Sequence, residues 1–572
     1  MPAPPHPAVA IETLGDTAVV VRLGNAPDGR TLRRVAAARE RIERAALAGV
    51  VDVAATFTTV AVWLDPERTD AARVAAALAG CLAGGVDAPL AAPRCFDIPV
   101  IYGGAAGPDL AAVAAATGLD PADVIARHAA AAHVVGMIGF APGFPYLLGL
   151  PDALRLPRRA APRTAVEAGS VAIAEGQTGI YPRRGPGGWH VIGRTAVDLF
   201  DPTRDPPALL RAGDRVRFVP VAVAPPAPAA APPHGTGDVV VVAAGAATSV
   251  QDAGRIGWRR CGVGPGGAAD ATALAVANLL VGNPEGAAAI EATLVGPRLR
   301  LERGAWVALC GAAFQARVVA PDGGATPLPR DRPVWVPAGA EVAIGTVAAP
   351  ADGAPRGVRA VLALCGGIDV PRLLGSRSTD ARGGFGGLAG RALAQGDRLR
   401  IGAGGQAPPA AAGRVGIAPR GAAAPRAPGG PPPGPVTLAI LPGPEVGRFP
   451  AAAVEAMGSA TFTVGADSDR TGLRLLGPAL AGPDGILSEA LVPGTVQVPS
   501  GGRPIVVGVD APVTGGYARI AVVAHADLPR LAQLAPGEHV RFAWIDAAGA
   551  AALVRSRRGD LARFRLAWGT HP

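Results

Sequence analysis

Residues 139–151 read GFAPGFPYLLGLP, residues 157–182 read PRRAAPRTAVEAGSVAIAEGQTGIYP, and residues 185–195 read GPGGWHVIGRT. Short apolar runs alternate here with glycine and proline, which end strands and form tight turns. This alternation is typical of a β-barrel or a β-sandwich. The stretch therefore predicts a fold built from short strands.

The residues before this stretch alternate between strand-like and helix-like patterns. AVVVRL at 18–23 and TTVAVWL at 58–64 are separated by segments rich in arginine and alanine, which predicts a small α+β domain. FDIPVIYGG at 96–104 predicts a further strand. We therefore predict a β-rich α+β chain.

Local signals also place several helices. Residues 109–131 predict two helices broken at Gly118, and Asp120 followed by proline marks the start of the second. Another helix, at Ala271–Val281, follows the glycine-rich loop GVGPGG, and an arginine-rich helical tail follows residue 545.

Two low-complexity segments divide the chain. VAVAPPAPAAAPPHGTG at 221–237 predicts an extended linker, and a second such segment ends in PPPGP. At 572 residues the chain is also too long for one core. We predict a small α+β domain at 1–90, a barrel-type domain at 91–220, the linker at 221–237, a β-rich lobe at 238–402, a second linker at 403–435, and a second lobe with the helical tail at 436–572.

Composition excludes several classes of protein. All 54 basic residues are arginine, so the chain has no lysine for a Walker A motif, a pyridoxal phosphate Schiff base or biotin attachment. The arginines are scattered and aromatic residues make up only 4%, which argues against nucleic acid binding despite a net charge of +9. The five cysteines include no C-x-x-C pair, so we expect buried thiols rather than disulfides or zinc.

The mean hydropathy of +0.30 owes much to alanine. No window of about twenty residues is apolar enough to span a bilayer, and the first residues lack the pattern of a secretion signal. We therefore expect a cytoplasmic protein that does not enter a membrane.

The opening stretch also has the composition of an anion site. Glycine and proline shape loops whose backbone N–H groups can point at an anion. Arg158, Arg163 and Arg194 carry planar guanidinium groups that can bind carboxylate or phosphate through two N–H donors. The alternative is that these residues are barrel turns and solvated arginines.

Residues 10–220 resemble the allophanate hydrolase subunit 1 family, to which the B component of 5-oxoprolinase and a sporulation-kinase inhibitor belong. The resemblance is carried by the three opening segments, preceded in order by PVIYGGAAGPDL at 99–110 and GLDPADVIARH at 118–128. The chain departs from the family at His133, usually tyrosine, at Glu167, usually proline, and at His190, often glutamine.

Residues 240–545 resemble the allophanate hydrolase subunit 2 family, which includes the C component of 5-oxoprolinase. The segments that carry this resemblance include SVQDAGRIGWRRCGVGPGGAADATALAVANLLVGN at 249–283, CGGIDVPRLLGSRSTDARGGFGG at 365–387, and SDRTGLRLLGP at 468–478. The order is collinear, so we interpret the chain as a B–C fusion. Both resemblances imply cyclophilin-like β-barrels.

The resemblance implies an ATP-dependent 5-oxoprolinase, a hydrolase that opens a cyclic amide, 5-oxo-L-proline, to L-glutamate. It implies a separate partner, the A component of 5-oxoprolinase from the lactam utilisation protein family, without which the chain is expected to be inactive. ATP with magnesium is the expected co-substrate, and covalently bound biotin is not expected. A homo-oligomer is compatible with this assignment.

Two other classes remain open. The same paired domains form the carboxyltransferase module of biotin-dependent urea or amide carboxylases, which here would need a biotin carrier in trans. The third class is a non-catalytic regulator of a sensor kinase. Fusion argues against the regulator, because an inhibitor joined to its antagonist would be permanently silenced.

Phosphoryl transfer needs carboxylates that bind a metal ion and cations around the phosphoryl oxygens. We predict catalytic roles for Asp252 with Arg255 and for Asp469 with Arg470, and we single out no dedicated metal ligand. Glu291 and Arg519 are further candidates. Positions that match the families and have suitable chemistry predict a wider substrate- or nucleotide-binding set: Phe140, Pro142, Gly143, Phe144, Arg158, Arg163, Gln177, Thr178, Tyr181, Gly187, Gly188, Trp189, Arg194, Asp270, Arg377, Ser378, Thr379, Arg474, Glu489, Gln497, Asp510, Thr514, Gly515, Gly516 and Tyr517.

Several candidates have a structural alternative. Asp270 precedes a helix and can act as its N-cap. Asp469 and Arg470 can form a turn ion pair. The loop GVGPGG lacks a clear preceding strand and a βαβ unit, so it is weak evidence for phosphate binding. For His128, on an alanine-rich helix, we favour a structural role.

Residues 511–519 depart from the family pattern. Ala511, Pro512 and Val513 stand where polar residues are usual, and Arg519 stands where lysine is usual. Arginine stays charged and cannot serve as a proton-transfer base. If the family's lysine performs acid–base chemistry, this chain is altered or inactive.

Overall fold

The computed structural model describes residues 9–86, 93–222, 237–347, 357–404 and 434–568. The two predicted linkers lie almost wholly outside the described residues. The rest forms a four-stranded sheet, a closed seven-stranded barrel, a pair of sheets and a second closed seven-stranded barrel. The predicted β-rich α+β fold is confirmed.

The N-terminal sheet consists of β1 (Ala10–Leu14), β2 (Ala18–Arg22), β3 (Val50–Ala55) and β4 (Thr59–Leu64), in the antiparallel order β1-β2-β4-β3. Side chains alternate between its two faces. One face packs on α1 (Gly29–Ala45) and α2 (Ala71–Leu82). The other face, with Trp63, packs on Val492 and Val522 of the second barrel. The strands predicted at 18–23 and 58–64 are confirmed.

The first barrel closes in the order β10-β7-β6-β13-β5-β12-β9, and a short ladder of β8 and β11 lies beside it. The strands are β5 (Cys95–Tyr102), β6 (His133–Ile138), β7 (Pro145–Leu148), β8 (Arg163–Val166), β9 (Ser170–Ala174), β10 (Gln177–Ile180), β11 (Gly185–Gly187), β12 (His190–Arg194) and β13 (Arg215–Pro220). Of the barrel and the sandwich that the opening stretch predicts as alternatives, the structure has the barrel.

Two helices lie between the first strands of this barrel. The first, α3 (Leu110–Thr117), ends at Gly118, whose φ of 68° suits glycine. The second, α4 (Pro121–Ala130), begins with proline at its first position, although the Asp120 side chain accepts no capping hydrogen bond. The predicted break is confirmed.

The middle unit packs two sheets around the largest apolar core. Their orders are β20-β19-β22-β17-β14-β25-β24 and β15-β16-β23-β18-β21. The strands are β14 (Val239–Ala243), β15 (Ala247–Gln251), β16 (Ala289–Thr293), β17 (Arg298–Leu301), β18 (Ala305–Gly311), β19 (Phe314–Val319), β20 (Ala325–Pro327), β21 (Pro333–Val336), β22 (Glu341–Val347), β23 (Arg359–Leu364), β24 (Ile368–Asp369) and β25 (Arg398–Ile401).

One helix of the middle unit, α5 (Ala271–Leu280), covers the five-stranded sheet. It starts where the sequence predicts. Asp270 accepts a hydrogen bond from the N–H of Ala273 at 2.9 Å, so the predicted capping role is confirmed.

The second barrel closes in the order β26-β33-β30-β31-β28-β27-β34, with a short ladder of β29 and β32 beside it. The strands are β26 (Val436–Pro442), β27 (Phe462–Val464), β28 (Gly472–Leu476), β29 (Glu489–Ala490), β30 (Thr495–Val498), β31 (Ile505–Val507), β32 (Thr514–Gly515), β33 (Ala518–Val523) and β34 (His539–Trp544). The helices are α6 (Ala451–Ser459), α7 (Leu528–Leu531) and the predicted tail, α8 (Ala547–Trp568). No helix within the described ranges is long and apolar enough to cross a bilayer.

Candidate functional site

A cleft forms where loops of the first barrel, the middle unit and the second barrel meet. It is lined by Phe140 and Pro142 from the first, by Gly262, Gly264, Gly266, Asp380 and Arg382 from the second, and by residues 509–512 from the third. Its free volume is about 20 Å³, which is enough for about one water molecule. We call it the junction cleft.

Close backbone contacts hold the three loops together. The N–H of Gly143 donates to the carbonyl of Cys261 at 2.8 Å, and the N–H of Phe140 lies 3.3 Å from Oγ1 of Thr514. Gly262 has a φ of 78°, and a Cβ there would lie 2.5 Å from the carbonyl oxygen of Ala141. Only glycine therefore allows the first two loops to approach this closely.

Asp380 is one of the two carboxylates, with Asp510, that line the junction cleft. Its Oδ1 accepts a hydrogen bond from the N–H of Gly383 at 2.7 Å. Burial raises its pKa above the ordinary value, the Gly383 N–H lowers it, and the charge of Asp510 raises it again. A buried carboxyl with a raised pKa in a cleft is suited to proton transfer.

Arg382 places a cation opposite Asp380. Its Nη2 donates to the carbonyl of Phe140 at 3.2 Å, and its guanidinium lies 5.7 Å from the centre of the Phe140 ring. Burial lowers its pKa from the ordinary arginine value, and Asp380 and Asp510 oppose that shift. Arg382 stays charged at neutral pH, because an arginine cannot be deprotonated there.

Asp510 enters the junction cleft from the second barrel and is held by Arg470. Arg470 Nε and Nη2 lie 2.7 and 3.0 Å from the two Asp510 oxygens, Nη1 binds Glu291, and Nη2 also donates to the carbonyl of Gly267. The predicted alternative, an ion pair between Asp469 and Arg470, is wrong. Asp469 instead accepts turn hydrogen bonds from residues 471 and 472.

Asp252 anchors the loop at 376–378. It accepts hydrogen bonds from the hydroxyls of Ser376 and Ser378 at 2.6 and 2.5 Å and from the N–H of Arg377 at 2.6 Å. This loop in turn positions Arg255, whose Nη2 donates to the carbonyl of Ser378. Asp252 and Arg255 thus bind the same loop, at 376–378, and this shared loop is what brings the two side chains together.

Comparisons with known proteins agree with this architecture. Residues 9–210 match the family described as carboxyltransferase domain, subdomain C and D, and residues 261–544 match that described as carboxyltransferase domain, subdomain A and B. The chain is 36% identical to the 5-oxoprolinase C component of Escherichia coli K12 over 58% of this chain and 98% of that protein. It is 40% identical to the 5-oxoprolinase B component of Bacillus subtilis over 36% of this chain and 91% of that protein.

The chain belongs to the carboxyltransferase-domain family. It joins regions related to the B and C components of 5-oxoprolinase, so the interpretation as a B–C fusion is confirmed. We call residues 9–222 the B region and residues 237–568 the C region.

Further relatives differ in how much of their own length is matched. A crystal structure of TTHA0988 is similar over 92% of this chain and 99% of that one, with a TM-score of 0.76 and 34% identity. The match to the 5-oxoprolinase B component of Escherichia coli O157:H7 is 58% identical but spans only 58% of that protein. Urea amidolyase of Lachancea kluyveri is 33% identical over 53% of this chain, which is 16% of its own length.

Several candidates in the B region lie away from the junction cleft. Arg163 forms an ion pair with Asp109, Arg158 pairs with Glu175 in solvent, and Arg194 donates to a backbone carbonyl. Gln177 lies at the start of β10, and Gly188 directly follows β11.

Aromatic candidates of the B region form one apolar cluster that reaches the cleft through Phe140. It contains Phe144, Tyr181 and Trp189, and Gly187 lies against the Tyr181 ring. Thr178 is fully buried inside the barrel and binds Nε2 of His128 at 2.9 Å. His128 is also fully buried and binds the Tyr102 hydroxyl, which supports the structural role predicted for it.

Candidates in the second barrel divide between two places. Thr514 contacts the Phe140 loop, whereas Gln497 donates to the carbonyl of Tyr517 and Glu489 faces the N-terminal sheet. Gly515 and Gly516 lie in the same run as Thr514. Arg474 forms an exposed ion pair with Asp467, outside the cleft.

In the middle unit, Arg377 pairs with Asp369, and Thr379 donates to the carbonyl of Val250.

The sequence candidates omit Asp380 and Arg382, which stand in the segment STDARGGFGG at 378–387. The available signal was a pair of opposite charges followed by glycines, a pattern of a tight charged loop. It does not show that the loop meets Phe140 and Asp510, which are distant in the sequence.

Proposed function

We propose that the chain supplies the B and C components of an ATP-dependent 5-oxoprolinase, which acts in the cytoplasm with a separate A component. The observation that supports this most directly is the composition of the junction cleft. Phe140 and Pro142 of the B region and Asp380, Arg382 and Asp510 of the C region line it together. Such a site needs both regions, as expected for components that act jointly.

The side chains suit the hydrolysis of an activated amide. An unstrained lactam resists water, so we propose that ATP phosphorylates the amide oxygen before water adds to the carbon. Asp380 then accepts a proton from the attacking water, a role typically worth 10²–10⁴-fold in rate. Arg382 stabilises the negative charge on the phosphoryl oxygens. The C–N bond then breaks as the ring nitrogen takes up the proton and leaves as the amino group of glutamate, and a second water releases phosphate from the acyl phosphate that remains.

The lactam, ATP and magnesium all need more room than the cleft offers. Ligand pockets for molecules of this size usually span about 300–1,000 Å³, far above the roughly 20 Å³ present. Within the described residues, no group of three His, Cys, Asp or Glu side chains could hold a metal ion. Magnesium usually binds through phosphates, water and one or two carboxylates, so we propose that it enters with ATP. Binding of the lactam and of the nucleotide then requires the cleft to open or the A component to supply part of the site.

The test combines the purified chain, its cognate A component, ATP, magnesium and 5-oxoproline, and follows glutamate and phosphate together. We expect equal release of both products only in the complete mixture. Asp380→Asn should abolish most of it, whereas Asp467→Asn, at an exposed ion pair, should not. Equal activity of the two variants would remove Asp380 from the mechanism.

The similarity to urea amidolyase favours a second candidate, a carboxyltransferase. Because the chain has no lysine, the biotin would have to come on another protein. Two results together would establish this alternative. The complete mixture with 5-oxoproline releases no glutamate or phosphate, and the chain transfers a carboxyl group from a carboxylated biotin carrier to urea without ATP.

A further inference from the structure

Arg255 is a buried cation with unused hydrogen-bonding capacity. The residue is 2% exposed, its Nη2 donates to the carbonyl of Ser378, and its guanidinium stacks 4.7 Å from the centre of the Phe385 ring. Its Nε and Nη1 have no partner among the described residues. Leaving charged donors unpaired inside a protein is costly, so this arrangement indicates a ligand.

The unpaired Nη1 lies close to Gly266. A Cβ on Gly266 would be 3.6 Å from this nitrogen and 3.8 Å from Oδ1 of Asp510, and Gly266 itself lines the cleft. Of the neighbouring arginines, Arg470 binds Glu291 and Asp510 and Arg377 binds Asp369. Arg382 has no paired carboxylate among the described residues and donates to the carbonyl of Phe140. Arg255 has no such carboxylate on its guanidinium among the described residues, although Asp252, Asp380 and Asp510 act on it at longer range.

The glycine-rich loop adds further donors. In the described part of the chain, the backbone N–H groups of Gly264 and Gly266 donate to no other atom. Both residues line the cleft, and Gly266 has a φ of 56°. These two N–H groups flank Pro265, which has none, and free N–H groups of a turn can bind an anion.

We propose that Arg255, with the N–H groups of Gly264 and Gly266, binds the carboxylate of the substrate and so selects lactams that carry an acid group. This inference rests on the proposed function. A carboxylate fits this position better than a polyphosphate, because Arg255 offers a single positive charge. A single carboxylate needs only one cation, and arginine matches its geometry.

The test compares 5-oxoproline with 2-pyrrolidone, the same lactam without its carboxylate, in the complete mixture with the A component. For Arg255→Gln we expect the ratio of kcat/KM for 5-oxoproline to that for 2-pyrrolidone to fall roughly 10- to 100-fold, the usual effect of losing a hydrogen bond to a charged group. Arg255→Lys should restore part of the ratio. Arg260→Gln, a surface neighbour that contacts a backbone carbonyl, is the control and should keep the wild-type ratio.

Binding to the chain, alone and mixed with its A component, provides a readout that does not need turnover. Calorimetry should detect 5-oxoproline but not 2-pyrrolidone, and Arg255→Gln, checked for folding by circular dichroism, should weaken that binding to a similar extent. An unchanged substrate ratio and unchanged binding in the folded variant would overturn the carboxylate site. A raised KM for ATP with an unchanged substrate ratio would also overturn it, in favour of a phosphate site. A wild-type complete mixture that releases no glutamate contradicts the proposed 5-oxoprolinase instead, and the binding comparison then still decides whether Arg255 holds a carboxylate.

Discussion

Arg519 and Glu489 form an ion pair that solvent does not reach, with 2.6 Å between Nη2 and Oε2 and with side chains that are 0% and 3% exposed. Arg519 also binds both oxygens of Glu445, and Arg22 of the N-terminal sheet binds Glu489 from the other side. The network therefore ties the second barrel to the B region. Arg519 stands where the family usually has lysine, but here it is a permanently charged, fully enclosed group, so we assign it a structural role.

Replacing Arg519 by methionine should destabilise the protein strongly. The change leaves Glu445 without its main partner in the interior, and breaking a buried ion pair on one side typically costs about 3–5 kcal/mol. We expect the midpoint of urea denaturation to fall clearly, as measured by tryptophan fluorescence.

The control for this prediction is Arg298→Met. Arg298 pairs with Glu341 at the surface and is 55% exposed, so its loss should cost less than about 1 kcal/mol. Similar midpoints for the two variants would contradict the structural role of Arg519.

Asp16 should make stability depend on pH. Its carboxylate accepts the N–H of His525, and burial raises its pKa to about 6 despite that hydrogen bond. A carboxyl with a raised pKa in the folded state favours folding at low pH, and this contribution is lost as the pH rises from about 4 to about 6. Asp16→Asn should therefore gain stability over the wild type through this range, by at most roughly 3 kcal/mol.

The quantity to measure is the difference in stability between Asp16→Asn and the wild type at each pH. This difference is needed because His525 changes the stability of both proteins with pH in the opposite direction. Burial lowers its pKa to about 4, with Arg557 adding to the shift and Asp65 opposing it, so its contribution is lost as the pH falls from about 6.5 to about 4. Thermal unfolding of both proteins between pH 4 and pH 8 separates the two effects. Asp322→Asn, in an exposed turn, should give a difference that does not change with pH, and a flat difference for Asp16→Asn would exclude the burial effect.

The strands and helices were predictable where a local pattern decides them. The run at 18–23 alternates between two apolar faces, and β2 buries both of them. Gly118 and Pro121 break the helix at 109–131 by backbone geometry alone. The order of strands in each barrel depends on pairing between distant segments, such as β5 with β13, which no local pattern contains.

The site was less predictable because its residues act through distant partners. Asp252 is a carboxylate of the expected type, but the sequence does not show that residues 376–378 enclose it. Phe140 was predicted from the family motif, whereas Asp380 and Arg382 become significant only when their loop meets it. The charge and type of a residue can be read from the sequence, whereas its burial depends on segments that are distant in the sequence.

Asp380 should give the activity of the complete mixture an acidic limb. A base must be deprotonated to accept a proton, so kcat should fall as the pH drops through the raised pKa of this carboxyl. Asp380→Asn should lower kcat roughly 10²-fold or more with little effect on KM, and should remove the acidic limb from any residual activity. An identical pH profile in the variant would assign the limb to another group.

The B and C regions should hold together without a covalent link. Their contact includes an apolar cluster of the N-terminal sheet with Val492 and Val522 and a second one around Phe200 and Phe385. It also includes Asp52, which accepts the N–H of Arg259 at 3.0 Å while the Arg259 guanidinium stacks over Trp63. Apolar packing combined with buried charged contacts of this kind is typical of a permanent interface.

We therefore expect residues 1–229 and 230–572, expressed together as separate chains with a tag on one, to copurify at equal amounts and to elute as one peak in gel filtration. The fusion then serves to keep the two regions at high effective concentration, not to create their interface. Asp52→Ala should weaken the pair at least about 100-fold, because it leaves the Arg259 guanidinium buried beside Trp63 without its carboxylate. Asp322→Ala, on an exposed turn of the C region, should leave it intact. Separate elution of the unmodified halves would show that the linker itself is needed to hold the junction cleft together.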